Sequence, residues 1–267
     1  MPANQAETLG RETGNRPVVT RSEIVKGLRE LGIEKGDQVL VHSSLSSFGY
    51  VEGGAASVIE ALLEAVGTGG TVLAPTLTGK PSDGPDCPPC FDVRSSPAWT
   101  GRIPETMRNW PGAVRSVHPT HSVVALGAQA RSLTAGHEEC WTPCGEGSPW
   151  VKLARLGGKL VFLGVTLDCN TTFHAAEELA EVPYHLQPRP TRCRITDWHG
   201  HTFEREYLLH QWGTPRRFTA MEHILEQEGW LRRGQIGAAR VLVVEDGPML
   251  DYTVRLLRRD PWALVAR

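Results

Sequence analysis

No run in this 267-residue chain approaches the roughly 18–20 continuous apolar residues of a membrane-spanning helix, so no bilayer span is expected. The opening stretch, 1–17, carries Asn, Gln, Glu, Thr and Arg without the apolar segment of a secretion signal. It reads as a loose N-terminal arm ahead of a single domain over 18–267, in a cytoplasmic protein. Charge of one sign is also missing: 28 Lys and Arg stand against 30 Asp and Glu, a formal net charge of −2. That balance gives no electrostatic footprint for nucleic acid or an anionic membrane. The expected partners are small molecules, bound by a monomer or a homodimer. Internal repeats and low-complexity tracts are absent. So are the Gly-x4-Gly-Lys-Ser phosphate loop and the His-Glu-x-x-His spacing of zinc hydrolases.

Six cysteines are present (Cys87, Cys90, Cys140, Cys144, Cys169, Cys193), and a cytoplasmic setting predicts reduced thiols. Cys87-Pro-Pro-Cys90 and Cys140-Trp-Thr-Pro-Cys144 form two close pairs. Zn²⁺ prefers tetrahedral thiolates, so a four-sulfur structural site is one reading of them. Only the first pair has the common two-residue gap and both contain turn-forming prolines, so plain turns are the favoured reading and no metal is assigned.

The secondary-structure signals are regular. A helix is predicted over 20–32, capped by Thr20 or Ser22, with Ile24, Leu28 and Leu31 on one stripe. A short buried strand follows at 38–42, a polar loop at 43–54, a helix at 55–66 and a second strand at 71–75. Further strands are predicted at 121–126, 159–164 and 240–244. Helices are predicted at 101–110, 128–134, 148–156, 171–180, 221–228 and 249–259. Residues 80–97, rich in Pro, Gly, Ser and Asp, read as a surface loop or flap, and 192–207 as an antiparallel hairpin turning at His199-Gly200. The expected fold is α/β, a layered and mostly parallel central sheet with flanking helices and a small antiparallel addition near the C-terminal half.

Three stretches carry chemistry. Val41-His-Ser-Ser-Leu-Ser-Ser-Phe-Gly49 follows a strand and offers four hydroxyls and exposed amides, suited to a phosphate, pantetheine or other polar ligand; a turn that only caps local structure fits as well. Arg115-Ser-Val-His-Pro-Thr-His-Ser122 combines a cation that forks onto phosphate with hydroxyls and two imidazoles; the other reading is a turn around Pro119 with a histidine satisfied in the core. In Gly164-Val-Thr-Leu-Asp-Cys-Asn-Thr-Thr-Phe-His-Ala-Ala-Glu-Glu178 a buried strand runs into a helix. His174 lies three residues before Glu177 and four before Glu178, so both carboxylates flank one imidazole. A carboxylate beside an imidazole fixes its tautomer, as a general base requires, while a solvated ion pair remains the alternative.

Taken in order with Pro75-Thr76, Phe91-Asp92, Gly101, Glu105 and the Asn170-Thr-x-x-His-x-x-Glu177 spacing, these motifs resemble the aminoglycoside 3-N-acetyltransferase family over roughly residues 20–262. The resemblance implies an α/β fold distinct from the common GNAT-type acetyltransferase fold. It implies acetyl-CoA as co-substrate and direct transfer of acetyl to an amine at the 3-N position of an aminoglycoside. His174 would be the general base, Glu177 its orienting partner, and Thr76 the donor to the thioester oxyanion. Ser43, Ser44, Leu45 and Ser46 would line the pantetheine arm, and Arg115, Ser116 and Ser122 would meet the CoA phosphates. Asp168, Asn170 and Glu178 would contact the acceptor. The alternative carried with this reading is an acyl-CoA-dependent enzyme acylating a different amine in biosynthesis.

Overall fold

Residues 18–266 are described by a computed structural model; the arm expected over 1–17 lies outside them. In chain order the first half comprises β1 (Val18–Val19), α1 (Arg21–Glu30), β2 (Gln38–Ser43), β3 (Tyr50–Val51), α2 (Gly54–Val66), β4 (Thr71–Pro75), β5 (Cys90–Asp92), α3 (Arg102–Arg108), β6 (Val114–Arg115), β7 (Val123–Gly127) and α4 (Ala130–Thr134). The second half comprises α5 (Pro149–Arg155), β8 (Lys159–Leu163), α6 (Thr172–Leu179), β9 (Thr191–Thr196), β10 (Thr202–Tyr207), α7 (Glu222–Gln227), β11 (Leu231–Ile236), β12 (Ala239–Glu245) and α8 (Asp246–Arg259). Local rules explain the boundaries. Thr20 closes a capping box with Glu23 at the start of α1, an arrangement worth about 1 kcal/mol. Ser148 caps α5, with Pro149 at its first position.

Seven strands form the central sheet in the order β11-β12-β8-β2-β4-β7-β6. Only the middle is parallel: β2 pairs parallel with β4 and with β8. The β11·β12, β12·β8, β4·β7 and β6·β7 pairs are antiparallel. The sheet is therefore mixed, which corrects the mostly parallel expectation. The reason is connection length: β11 and β12 are joined by a tight turn at Gly237, which permits antiparallel pairing only. The predicted hairpin forms as β9·β10 with Thr202 opposite Thr196, and the flap contributes β5 alongside it as a parallel third strand.

Side-chain alternation along the central strands separates two cores. Val39 and Val41 of β2, Val72 of β4 and Val161 of β8 pack with Ile24, Leu28, Val58, Ile59 and Leu62 of α1 and α2. Leu40, Leu73, Leu160 and Phe162 point to the opposite face, against Trp150, Leu153, Phe173, Met249 and Leu257 of α5, α6 and α8. The product is a helix–sheet–helix sandwich. The carboxyl ends of the three parallel strands open at one edge of it, the place where such sheets form crevices. A third, smaller core of Phe91, Val93, Cys193, Ile195 and Tyr207 fixes the three-stranded sheet beside that edge. No helix among the described residues is long and apolar enough to cross a membrane.

Candidate active site

The strand ends carry a cavity of about 500 Å³. Its floor comes from β2 (Val41, His42, Ser43) and the residues at and after the end of β4 (Pro75, Leu77). One wall comes from the segment between β8 and α6 (Val165, Asp168, Cys169, Thr171), with His174 at its depth. Residues 210–218 close the other wall, and Trp99 and Trp212 stand at the rim, both exposed. A shallower groove of about 610 Å³ runs away over Ser44, Leu45, Ser46, Gly49, Tyr50, Gly101 and Arg102, and meets the cavity at Ser43. At the end of β8, Gly164 lets the Ser47 side chain pack closely. Its φ is +70°, and a Cβ there would lie 2.3 Å from the Cβ of Ser47, whose hydroxyl donates to the Gly164 carbonyl.

Helix α6 delivers the imidazole. Asn170 starts the helix by accepting from the Thr172 amide at 3.0 Å, while the Thr171 side chain makes no capping bond. Two positions on, His174 turns its Nδ1 onto Glu177 Oε2 at 2.7 Å, while the ring stays 27% exposed to the cavity. Nε2 has no protein partner among the described residues. Glu177 is fully buried and also meets Arg216 Nε at 3.1 Å through its other oxygen. Burial alone would raise its carboxyl. The hydrogen bonds from His174 and His185 reverse that and hold it well below the usual carboxylate range. Burial lowers His174 from the ordinary imidazole value, and the Glu177 hydrogen bond offsets this in part. His174 is thus a neutral imidazole with a fixed tautomer and a free Nε2 lone pair, the requirements of a general base.

Several of the residues expected at the site stand elsewhere. Arg115 is 1% exposed; its Nε meets Ser122 Oγ at 2.9 Å, its Nη atoms meet the carbonyls of Ser96 and Thr76 at 2.6 and 3.0 Å, and it lies over the Phe91 ring. Burial pushes this guanidinium down to about 9. Ser116 is occupied by His137 and by the Val123 amide. Ser122 donates to the Thr76 carbonyl at 2.7 Å. These three are core groups, out of reach of any phosphate in solvent. Thr76 is buried too, with its hydroxyl on Ser122 and Arg115 rather than toward the cavity that its neighbours Pro75 and Leu77 line; strand alternation turns it away. Asn170 is buried as a helix cap. Glu178 points away from His174 and accepts from the Cys144 amide at 2.9 Å and from His210 Nε2 at 2.7 Å. Gly145 permits that approach, since a Cβ there would sit 2.9 Å from Glu178 Oε2. The structure does bring Ser43, Ser44, Leu45, Ser46, Asp168 and His174 to one cavity and groove, with Glu177 buried against His174.

The cysteine pairs do not converge on one site. Cys87 and Cys90 are exposed in the flap, whereas Cys140 and Cys144 are buried. Among the described residues, donor atoms within metal-sharing reach are His121 with Cys144 and His210, His174 with Glu177 and His185, and Glu178 with His185 and His210. The last two groups are already joined by hydrogen bonds or ion pairs between their own members.

Sequence reasoning missed His185, His210, Arg216 and His42. His185 lies under His174 with its ring stacked at 5.0 Å, and His210 packs at 4.0 Å from His185. His42 stacks on Phe162, and burial drives it down to about 3. The available signal was the number of histidines, ten in all; no spacing links them, because they come from separate elements.

The family model for aminoglycoside 3-N-acetyltransferases matches residues 40–258. The chain is 40% identical over 264 residues to aminoglycoside N(3)-acetyltransferase VII of Streptomyces paromomycinus, covering 88% of this chain and 90% of that protein. It superposes on a crystal structure of aminoglycoside acetyltransferase AAC(3)-Xa with a TM-score of 0.80 at 33% identity, covering 91% and 93% of the two chains. A binary complex of AAC-IIIb with CoASH superposes with a TM-score of 0.76 at 32% identity, covering 91% of this chain and 97% of that one.

Proposed function

Because the chain belongs to the aminoglycoside 3-N-acetyltransferase family and is an N-acetyltransferase, we propose that it moves an acetyl group from acetyl-CoA directly onto the 3-amine of an aminoglycoside, with His174 as the base. The observation that carries this reading is the 2.7 Å Glu177–His174 pair at the depth of a cavity whose mouth continues into the Ser43–Ser46 groove.

The groove suits an extended pantetheine arm, with Ser44 and Ser46 hydroxyls along it. Arg102 lines its outer end and is an exposed cation for phosphate, in place of the buried Arg115. Ser43 Oγ is buried without a partner where groove meets cavity. An unsatisfied buried hydroxyl is costly, and this one is placed to donate to the thioester carbonyl oxygen, the task expected of Thr76. His174 Nε2 takes the proton as the acceptor nitrogen bonds to the carbonyl carbon. Glu177, fixed by Arg216, steadies the imidazolium that results. The C–S bond then breaks and the departing CoA sulfur takes the proton from the His174 imidazolium, which restores the neutral base. Asp168, exposed on the cavity wall, receives a neighbouring ammonium of the acceptor.

The test is thiol release from acetyl-CoA with a panel of amines, and product analysis for the acetylated position. Turnover with a 2-deoxystreptamine aminoglycoside at its 3-amine is the expected result. Turnover confined to neutral or acidic amines would replace the acceptor and leave the acetyl transfer standing. No thiol release with any amine would overturn both.

A further inference from the structure

Two carboxylates are buried beside the base, Glu177 with a side chain 0% exposed and Glu178 with one 2% exposed. Both are contacted by donors: His174, His185 and Arg216 at Glu177, and the Cys144 amide, His210 and His185 at Glu178. A buried anion without a counter-charge costs several kcal/mol. Arg216 supplies one positive charge, and it touches Glu177 alone. Of the imidazoles, only His185 reaches both carboxylates, with Nδ1 3.0 Å from Glu177 and Nε2 3.6 Å from Glu178.

We infer that His185 is a resident imidazolium that balances the two buried carboxylates and thereby keeps His174 in the neutral form its role as base demands. The inference rests on that reading of His174 for its kinetic consequence, though not for the charge on His185 itself. His185 is a positioning residue: it lines the cavity but is only 1% exposed, and its effect on the acceptor runs through Glu177 and His174.

The groups facing His185 agree with this assignment. Helix α6 presents Glu177, Glu178 and His174. Residues 210–216 present His210 and Arg216, and the turn before β7 presents His121. His121 and His210 are pushed well below the ordinary imidazole range, chiefly by burial, and stay neutral. Burial also acts against a charge on His185, yet the two carboxylates, Glu177 at 3.0 Å and Glu178 at 3.6 Å, outweigh it and raise its affinity for the proton. The competing arrangement is visible as well. Arg216 Nη2 lies 3.0 Å from His185 Nδ1, so a neutral His185 would accept from Arg216 there and leave one charge unmatched.

Nitrogen-15 NMR of the histidine rings in the intact wild-type enzyme, without substrate, separates the two. Both His185 nitrogens should be protonated at pH 7.5 while His174 keeps one unprotonated nitrogen. An unprotonated Nδ1 on His185 overturns the inference, and this readout stands even if no amine proves to be a substrate. The kinetic arm uses His185→Gln. Losing the cation leaves His174 beside an under-compensated Glu177, so the acid limb of kcat/KM should move up by about one pH unit. His185→Lys, which restores a charge, should bring the limb back toward its wild-type position. A uniform fall in kcat with an unmoved limb would make His185 a packing residue only.

Discussion

The turn around Pro119 and helix α6 with its lead-in are alike as sequence: each puts imidazole, hydroxyl and charged groups into a few residues beside a strand. They end in opposite surroundings. Apart from His121, which lines the cavity, the first is sealed under the flap, with Arg115 on the carbonyls of Thr76 and Ser96 and Ser116 on His137. The second opens His174 into a cavity while its partner Glu177, and Glu178 beyond it, stay buried. Polar density in a short segment therefore marks a place where polar groups must be satisfied. Whether ligand or protein satisfies them is decided by what packs on top.

Three substitutions probe that contrast. The largest effect belongs to the exposed imidazole: His174→Ala should lower kcat by about 10²–10⁴-fold, the usual range for a lost general base, with acetyl-CoA binding by calorimetry near wild type. Undiminished kcat at saturating amine would remove His174 from the role. Next, Arg115→Met should cost about 3 kcal/mol of stability in denaturant titration, because it strands the carbonyls and hydroxyls that now receive a charged donor. The acetyl-CoA KM of the folded fraction should hardly change. A raised acetyl-CoA KM in a variant of normal stability would return Arg115 to the CoA phosphates and erase the difference between the two regions.

The smallest effect is expected at the cavity wall. Asp168 is the one carboxylate among the cavity-lining residues that is exposed, and it accepts from the Thr219 amide at 3.1 Å. Asp168→Asn should raise the acceptor KM about 10-fold at low ionic strength, equivalent to about 1.4 kcal/mol, within the range for a close pair near a protein surface. The effect should fade as salt rises. Equal rises in both KM values would assign Asp168 to holding the 3₁₀ turn at 167–169 rather than to the acceptor.

Much of this protein was legible without coordinates, because it is encoded locally. The cap offered by Thr20 or Ser22, the stripes of α1 and α2, the apolar run of β8 and the hairpin at His199-Gly200 each lie within a dozen or so residues. So does the three-residue step from His174 to Glu177, which a helix converts directly into a 2.7 Å contact. What the tertiary structure alone decided is non-local. Glu178, one residue further on, leaves the imidazole because Cys144 and His210 arrive from distant segments to receive it. Thr76 turns inward because strand alternation gives the cavity to Pro75 and Leu77. His121, His185, His210 and Arg216 meet around α6 although the first and last stand 95 positions apart in the chain, and no periodicity in the chain records such a meeting. Short-range order follows from backbone geometry and side-chain spacing, whereas burial and charge pairing are set by the whole packed assembly.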